Sequence, residues 1–154
     1  MSKRENFPIE LTYMVRDTCL CLHTQRAART LSRRFDEAFR HLGITSGQFS
    51  LLMALSRPAP WRIGDLANFL AMDRTTITAN LKPLERDGLV SIATDAADKR
   101  GRNITLTSDG RTLLKRALPI WKSTHREIDK ALARDPDFLR ADLMALSRAP
   151  AGNA

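Results

Sequence analysis

Between Leu89 and Thr107 the hydrophobic period of this chain changes from helical to extended and back, and no other feature restricts its fold as much. Upstream, in "DRTTITANLKPLERDG", Ile77, Leu81 and Leu84 recur at helical spacing, with Asp73 placed to cap the helix and Gly88 to close it. Then "LVSIAT" alternates as a strand does, "DAADKRG" supplies turn-forming residues, and "RNITLT" returns as a second strand. Helical spacing resumes in "SDGRTLLKRALPIWKSTHREIDKALA", where Leu114, Leu118, Trp121, His125, Ile128 and Leu132 form one stripe and Thr107 stands at the N-cap. Ahead of all this, Ile63, Leu66, Ala67 and Leu70 mark a short helix joined to the next by the tight "AMD" connection. A short helix, a tight turn and a second helix make a helix-turn-helix, and the attached hairpin makes it winged.

The flanks are helical. No glycine or proline interrupts the chain between Pro8 and Gly43, and Ala28, Leu31, Phe35, Ala38, Phe39 and Leu42 recur along one face, so a single long helix over 11–42 is expected. Thr45 with Gln48 three residues later forms a capping-box pattern that opens a second helix, broken at "RPAPW". Pro119 is expected to kink the long C-terminal helix and Pro83 to bend the helix it lies in. A last helix near 136–148 carries Phe138, Leu139, Leu143 and Leu146. The fold class is therefore mainly α with a small β-hairpin wing, in one domain over 1–154. Segments 11–42 and 108–148 act as dimerisation helices around a DNA-binding lobe at 45–107. The terminal helices are too apolar on one side for a chain this size to cover, which predicts a homodimer.

The formal net charge of +8 asks for an anionic partner, nucleic acid ahead of a membrane surface. No apolar run approaches the ~20 residues that span a bilayer, and "MSKRENFPIE" has no signal-peptide core. With only Cys19 and Cys21 there is no disulfide framework, and the expected setting is cytoplasmic. No phosphate loop, zinc-protease pair, nucleophile elbow or paired CxxC occurs, so neither an enzyme nor a cofactor is expected. Cys19 and His23 lie four apart without a third ligand, which does not make a metal site.

With Ile77, Leu81 and Leu84 inward, Thr75, Ala79, Lys82 and Arg86 point outward, flanked by Thr76 and Thr78. Small and hydroxylated side chains allow close approach to base edges, and Arg74 at the helix start adds charge beside phosphates. At the hairpin tip, Lys99, Arg100 and Arg102 crowd together where like charges repel. A DNA minor groove resolves the crowding: Arg100 would insert, Asp98 would hold it, and Lys99 and Arg102 would face phosphates. A non-specific architectural DNA binder is the competing reading of the same charge.

The pattern "LANFLAMDRTTITANLKPLERDGLV", then Asp98 and Arg100, then Leu106, Thr107 and Gly110, resembles the MarR family of winged-helix transcriptional regulators. The resemblance runs over roughly residues 25–130. It implies a homodimer on palindromic double-stranded DNA with half-sites about 34–36 Å apart, usually repressing, and released by a small molecule or an oxidant. Many relatives carry arginine where this chain has Ala79, which moves base readout toward Thr75, Thr76, Thr78, Asn80 and Lys82. The family's usual effector is aromatic or phenolic and lies between the dimerisation helices and the winged lobe; Arg26, Arg29, Trp61, Trp121 and His125 are candidates to line its site, with Trp121 better suited to interface core. Cys21 shares a seven-residue spacing with Ala28, Phe35 and Leu42, which places it on the buried stripe, and it matches the sensing cysteine of organic-hydroperoxide-resistance regulators. The tyrosines of those proteins correspond here to Phe35 and Ser46, so Cys21 is either a redox sensor or a packed thiol. On a continuous helix Cys19 would lie about 200° around from Cys21, which argues against a disulfide between them.

Overall fold

The computed structural model describes residues 7–98 and 101–148. Among the described residues seven α-helices and three strands follow in order: α1 (Ile9–Thr18), α2 (Leu20–Phe39), a 3-10 turn (Arg40–Leu42), α3 (Ser46–Ala54), β1 (Trp61–Arg62), α4 (Ile63–Phe69), α5 (Arg74–Arg86), β2 (Val90–Thr94), β3 (Arg102–Leu106), α6 (Ser108–Lys130) and α7 (Pro136–Arg148). Side-chain chemistry starts the helices where the sequence places the caps. Thr45 Oγ1 accepts from Gln48 N–H while Gln48 Oε1 accepts from Thr45 N–H. Asp73 accepts from Thr76 N–H, and Thr107 from Gly110 N–H. Gly43 and Gly88 end their helices with φ of 71°, the left-handed conformation that costs glycine least.

One core fills the winged lobe. Leu51 and Leu52 of α3, Leu66 of α4, Ile77, Leu81 and Leu84 of α5 and Ile104 of β3 are all buried, and Phe39 closes the cluster from the end of α2. Phe39 stacks on Phe49 with ring centroids 4.8 Å apart. Leu113, Leu114 and Ala117 bring the first turns of α6 into the same core. Helices α1 and α7 bury no residue at all. Arg140 nonetheless fixes α7 against α6, donating to both carboxylate oxygens of Asp129 at 2.6 and 2.8 Å and to Asp137 at 2.7 Å.

Three expectations change. The first helix is not continuous: Cys19 leaves helical geometry with φ −74° and ψ 105°, and its Sγ caps α2 by accepting from Leu22 N–H at 3.4 Å. The angular argument against a Cys19–Cys21 disulfide assumed an unbroken helix and loses its basis; both thiols are free. Cys21 is exposed rather than buried, because 18 residues, or about 27 Å of helix rise, separate it from the core at Phe39. The hairpin is also joined by a third strand. β1 pairs antiparallel with β3 (Trp61 with Ile104, Arg62 with Asn103), giving the order β1-β3-β2. The half-buried Pro83 lies inside α5 and the exposed Pro119 inside α6, and both helices continue past them.

Candidate nucleic-acid interface

Helix α5 lies on the surface of the lobe with one face in the core, so its opposite face is free for a partner. Arg74, Thr75, Thr78, Ala79 and Lys82 line a shallow open depression of about 310 Å³ along that face. Thr75 and Lys82 are exposed. The other hydroxyls are partly used within the helix: Thr76 Oγ1 donates to Asp73 Oδ2 at 2.6 Å, and Thr78 Oγ1 to the Arg74 carbonyl at 2.8 Å. Their oxygens keep lone pairs outward, so they accept but do not donate. The two bonds from Thr76, first from its side chain and then from its N–H, hold the Asp73 carboxyl below its ordinary value. Asn80 is half-buried on the flank of the helix, and Arg86 at its far end pairs with Asp87 at 2.8 Å.

A second groove, of about 450 Å³, leads from the start of α5 to the wing and is lined by Arg62, Gly64, Arg74, Thr78 and Arg102 among others. The Arg74 guanidinium lies over Gly64, with Nη2 only 2.8 Å from where a Cβ would stand. Glycine at this position is what lets that cation lie against α4. Arg102 is exposed on β3, and its Nη1 donates to Thr94 Oγ1 on β2 at 2.9 Å. Asp98 lies 3.8 Å from Arg62 Nη1; Lys99 and Arg100 fall outside the described residues. Sequence reasoning missed Arg62 and Asp95, which form a 2.5 Å ion pair at the foot of the wing. A two-residue strand carries too little pattern to announce itself, and a pair 33 residues apart in sequence leaves no local signal.

The candidate effector residues are not gathered in one place. Trp61 is buried under the wing, its Nε1–H donating to the Ala54 carbonyl at 2.8 Å and its ring covered by Arg57 at 3.5 Å. These contacts make it a core residue rather than a cleft residue. Arg26 and Arg29 are exposed on α2, away from the linings of the two cavities that Trp121 borders. Trp121 and His125 do meet, 4.3 Å apart, and His125 also packs on Phe35 at 5.2 Å. They line an open cavity of about 680 Å³ with Lys122, Arg126, Asp129 and Arg140. The His125 Nδ1 is shielded and has no hydrogen-bond partner among the described residues. Burial pushes its imidazole below the ordinary value; Asp129 opposes that shift and Arg140 adds to it. A separate, apolar cleft of about 400 Å³ lies between α3, α4 and α6, with Phe49, Met53, Phe69, Leu118 and Trp121 on its walls.

No helix among the described residues is long and apolar enough to cross a membrane, and no group of three or more potential metal ligands occurs among them.

The MarR family model matches residues 44–101, the whole of α3 to the wing tip. The transcriptional activatory protein BadR of Rhodopseudomonas palustris is 36% identical over 89 residues, 56% of this chain, and the chain spans about half (51%) of BadR's length. The organic hydroperoxide resistance transcriptional regulator of Bacillus subtilis is 27% identical over 134 residues, covering 87% of this chain and 90% of that protein. Among solved structures, the M. tuberculosis transcriptional regulator MosR in complex with DNA superposes with a TM-score of 0.77 at 37% identity, over 84% of this chain and 94% of MosR. With the caps, the three-stranded wing and the exposed face of α5 in place, these likenesses show that the chain belongs to the MarR family.

Proposed function

We propose that this protein is a homodimeric, sequence-specific DNA-binding transcriptional repressor that reads a palindromic operator and is not an enzyme. One observation carries the reading: the exposed face of α5 presents Arg74, Thr75, Ala79 and Lys82 together, and the groove beside it continues to Arg102 on the wing. Threonine is a poor choice for a merely solvated helix, whereas short hydroxylated side chains beside cations suit a helix lying in a major groove. MosR, 37% identical, is known bound to DNA. The two-fold symmetry comes from α1 and α7, whose apolar side chains lie exposed in the single chain; Met14 is 54% exposed and Phe138 70%. Covering them with a second copy places two α5 helices on one face of the duplex.

Release comes from a small aromatic effector in the apolar cleft of Phe49, Met53, Phe69, Leu118 and Trp121, which joins the lobe to α6. A ligand there, by binding one arrangement of lobe and α6 better than another, shifts the spacing of the two α5 helices.

Footprinting on duplexes enriched from a random library tests the reading. A short two-fold-symmetric footprint is expected, lost when the aromatic effector is added. Uniform protection with affinity falling steeply in salt would replace it with the architectural reading. Arg100→Ala is expected to weaken binding strongly while the protein stays folded; wild-type affinity would remove the minor-groove role.

A second reading rests on the exposure of Cys21 at the start of α2, where Gln25 Nε2 donates to its Sγ at 3.2 Å. An exposed thiol is open to a hydroperoxide, and a Cys21→Ser variant that still releases DNA normally on oxidation would exclude it. Mass spectrometry after a stoichiometric dose locates the modified residue.

A further inference from the structure

The strand that sequence reasoning missed carries the residue with the most to explain. Arg62, the second residue of β1, begins neither the helix-turn-helix nor the wing, yet it joins them: the next residue, Ile63, starts α4, and its guanidinium crosses to the foot of the wing. There its Nη2 lies 2.5 Å from Asp95 Oδ2, and Nη1 3.8 Å from Asp98 Oδ2. The same Asp95 organises the tip. Its Oδ1 accepts from Ala97 N–H at 2.9 Å, its N–H donates to the Gly101 carbonyl at 3.0 Å, and Gly101 N–H donates to the Asp98 carbonyl at 2.8 Å. The Asp95 side chain is only 13% exposed, against 51% for Arg62. The Ala97 N–H first, and Arg62 after it, hold the Asp95 carboxyl below its ordinary value.

The groove that Arg62 lines also holds Arg74 and Arg102, and all three are cations beside the proposed DNA surface. They are not equivalent. Arg74 lies over Gly64 and Arg102 reaches a neutral threonine hydroxyl, so both keep their charge for a polyanion. Arg62 is neutralised by two carboxylates, and a guanidinium so committed gains little from a phosphate while losing a partly buried ion pair to reach it.

We propose that Arg62 is a positioning residue for DNA binding: through Asp95 and Asp98 it ties the wing to the start of α4, so that wing and α5 meet the duplex at one fixed spacing. This rests on the DNA-binding reading above. In its absence the strands of the wing stay packed in the core through Val90, Ile104 and Leu106, but the foot of the wing loses its ion pair to β1, and each binding event has to select the productive wing position from several.

The probe is a duplex enriched by the wild-type protein from a random-sequence library, and the variants are Arg62→Ala, Asp95→Asn, the double variant and Arg62→Lys. Asparagine at 95 keeps an oxygen for the Ala97 N–H and removes only the charge. Each single variant is expected to lose about tenfold in affinity, a usual size for coupled neighbours, with the double variant no worse than either single. Arg62→Lys recovers most of the loss. The slope of log affinity against log salt stays at the wild-type value, since no phosphate contact is removed. Without DNA, hydrogen exchange at the Asp95 and Gly101 amides quickens in Arg62→Ala while the unfolding midpoint holds. Wild-type affinity in Arg62→Ala overturns the proposal. So do losses that multiply in the double variant, or a salt slope reduced by ~0.9, which would make Arg62 a direct phosphate contact. A wild-type protein that enriches no duplex overturns the DNA reading itself, and the exchange result then reports separately whether the tether exists.

Discussion

His125 shows how a single residue's surroundings set a measurable response. Its ring packs between Trp121 and Phe35, its Nδ1 is shielded, and burial lowers its affinity for a proton. In the unfolded chain the imidazole titrates near its ordinary value of about 6.5. Below that pH the unfolded state binds more protons than the folded one, so stability rises with pH through this window. The contribution is complete above about pH 6.5 and is lost as pH falls toward the lower, folded value. Urea midpoints measured from pH 5 to 8 are expected to drop on the acid side for the wild type. His125→Phe should flatten that drop; an unchanged profile would show that another group is responsible. The carboxylates with lowered values, Asp73 and Asp95, act in a lower pH window, where stability is lost as pH falls below their ordinary 3.8, so the two effects separate. The caps Thr45, Asp73 and Thr107 were readable from sequence because a cap bonds to a backbone N–H three residues away. Arg62 was not, because its partners Asp95 and Asp98 arrive from the far side of the lobe.

Among the elements, the turn between α4 and α5 and the start of α6 are the most constrained. Ala71 adopts φ of 52° to make the tight turn, a conformation that burdens any residue with a Cβ. Ala71→Gly is expected to raise stability by about 0.5–1 kcal/mol, the relief of that strain less the added freedom of glycine in the unfolded chain. A destabilised variant would mean the methyl packs usefully. Gly110 is the opposite case. A Cβ there would stand 2.5 Å from Leu106 Cδ1 and closer still to the Leu89 carbonyl oxygen, so α6 could not lie against β3. Gly110→Ala is expected to cost about 1–3 kcal/mol through overpacking, read as a lower urea midpoint with unchanged slope. Equal stability would show that the helix shifts freely. The sequence placed this glycine one turn into a helix, where propensity alone disfavours it; packing explains it.

At the scale of the whole molecule the chain divides into a lobe with a complete core and helices without one. Leu139 and Leu143 on α7 stay 45% and 39% exposed, and α1 buries nothing. Glutamate at both positions (Leu139→Glu with Leu143→Glu) is expected to yield a monomer in sedimentation experiments while the lobe keeps its fold. Operator affinity should then fall by roughly 10²–10⁴, the gain that joins two half-site contacts in one molecule. A dimer that survives both charges would place the interface elsewhere.

Sequence alone determined the helix-turn-helix, the wing and the caps, because each is written in local periodicity or in hydrogen bonds spanning three residues. It also marked the exposed face of α5 as the one proposed to meet DNA, since burying Ile77, Leu81 and Leu84 leaves Thr75, Ala79 and Lys82 outside whatever surrounds them. Only the tertiary structure decided the break at Cys19, the exposure of Cys21, the burial of Trp61 and the pairing of Arg62 with Asp95. Those outcomes depend on which distant segment lies alongside, and a hydrophobic stripe records that a face will be covered without recording by what.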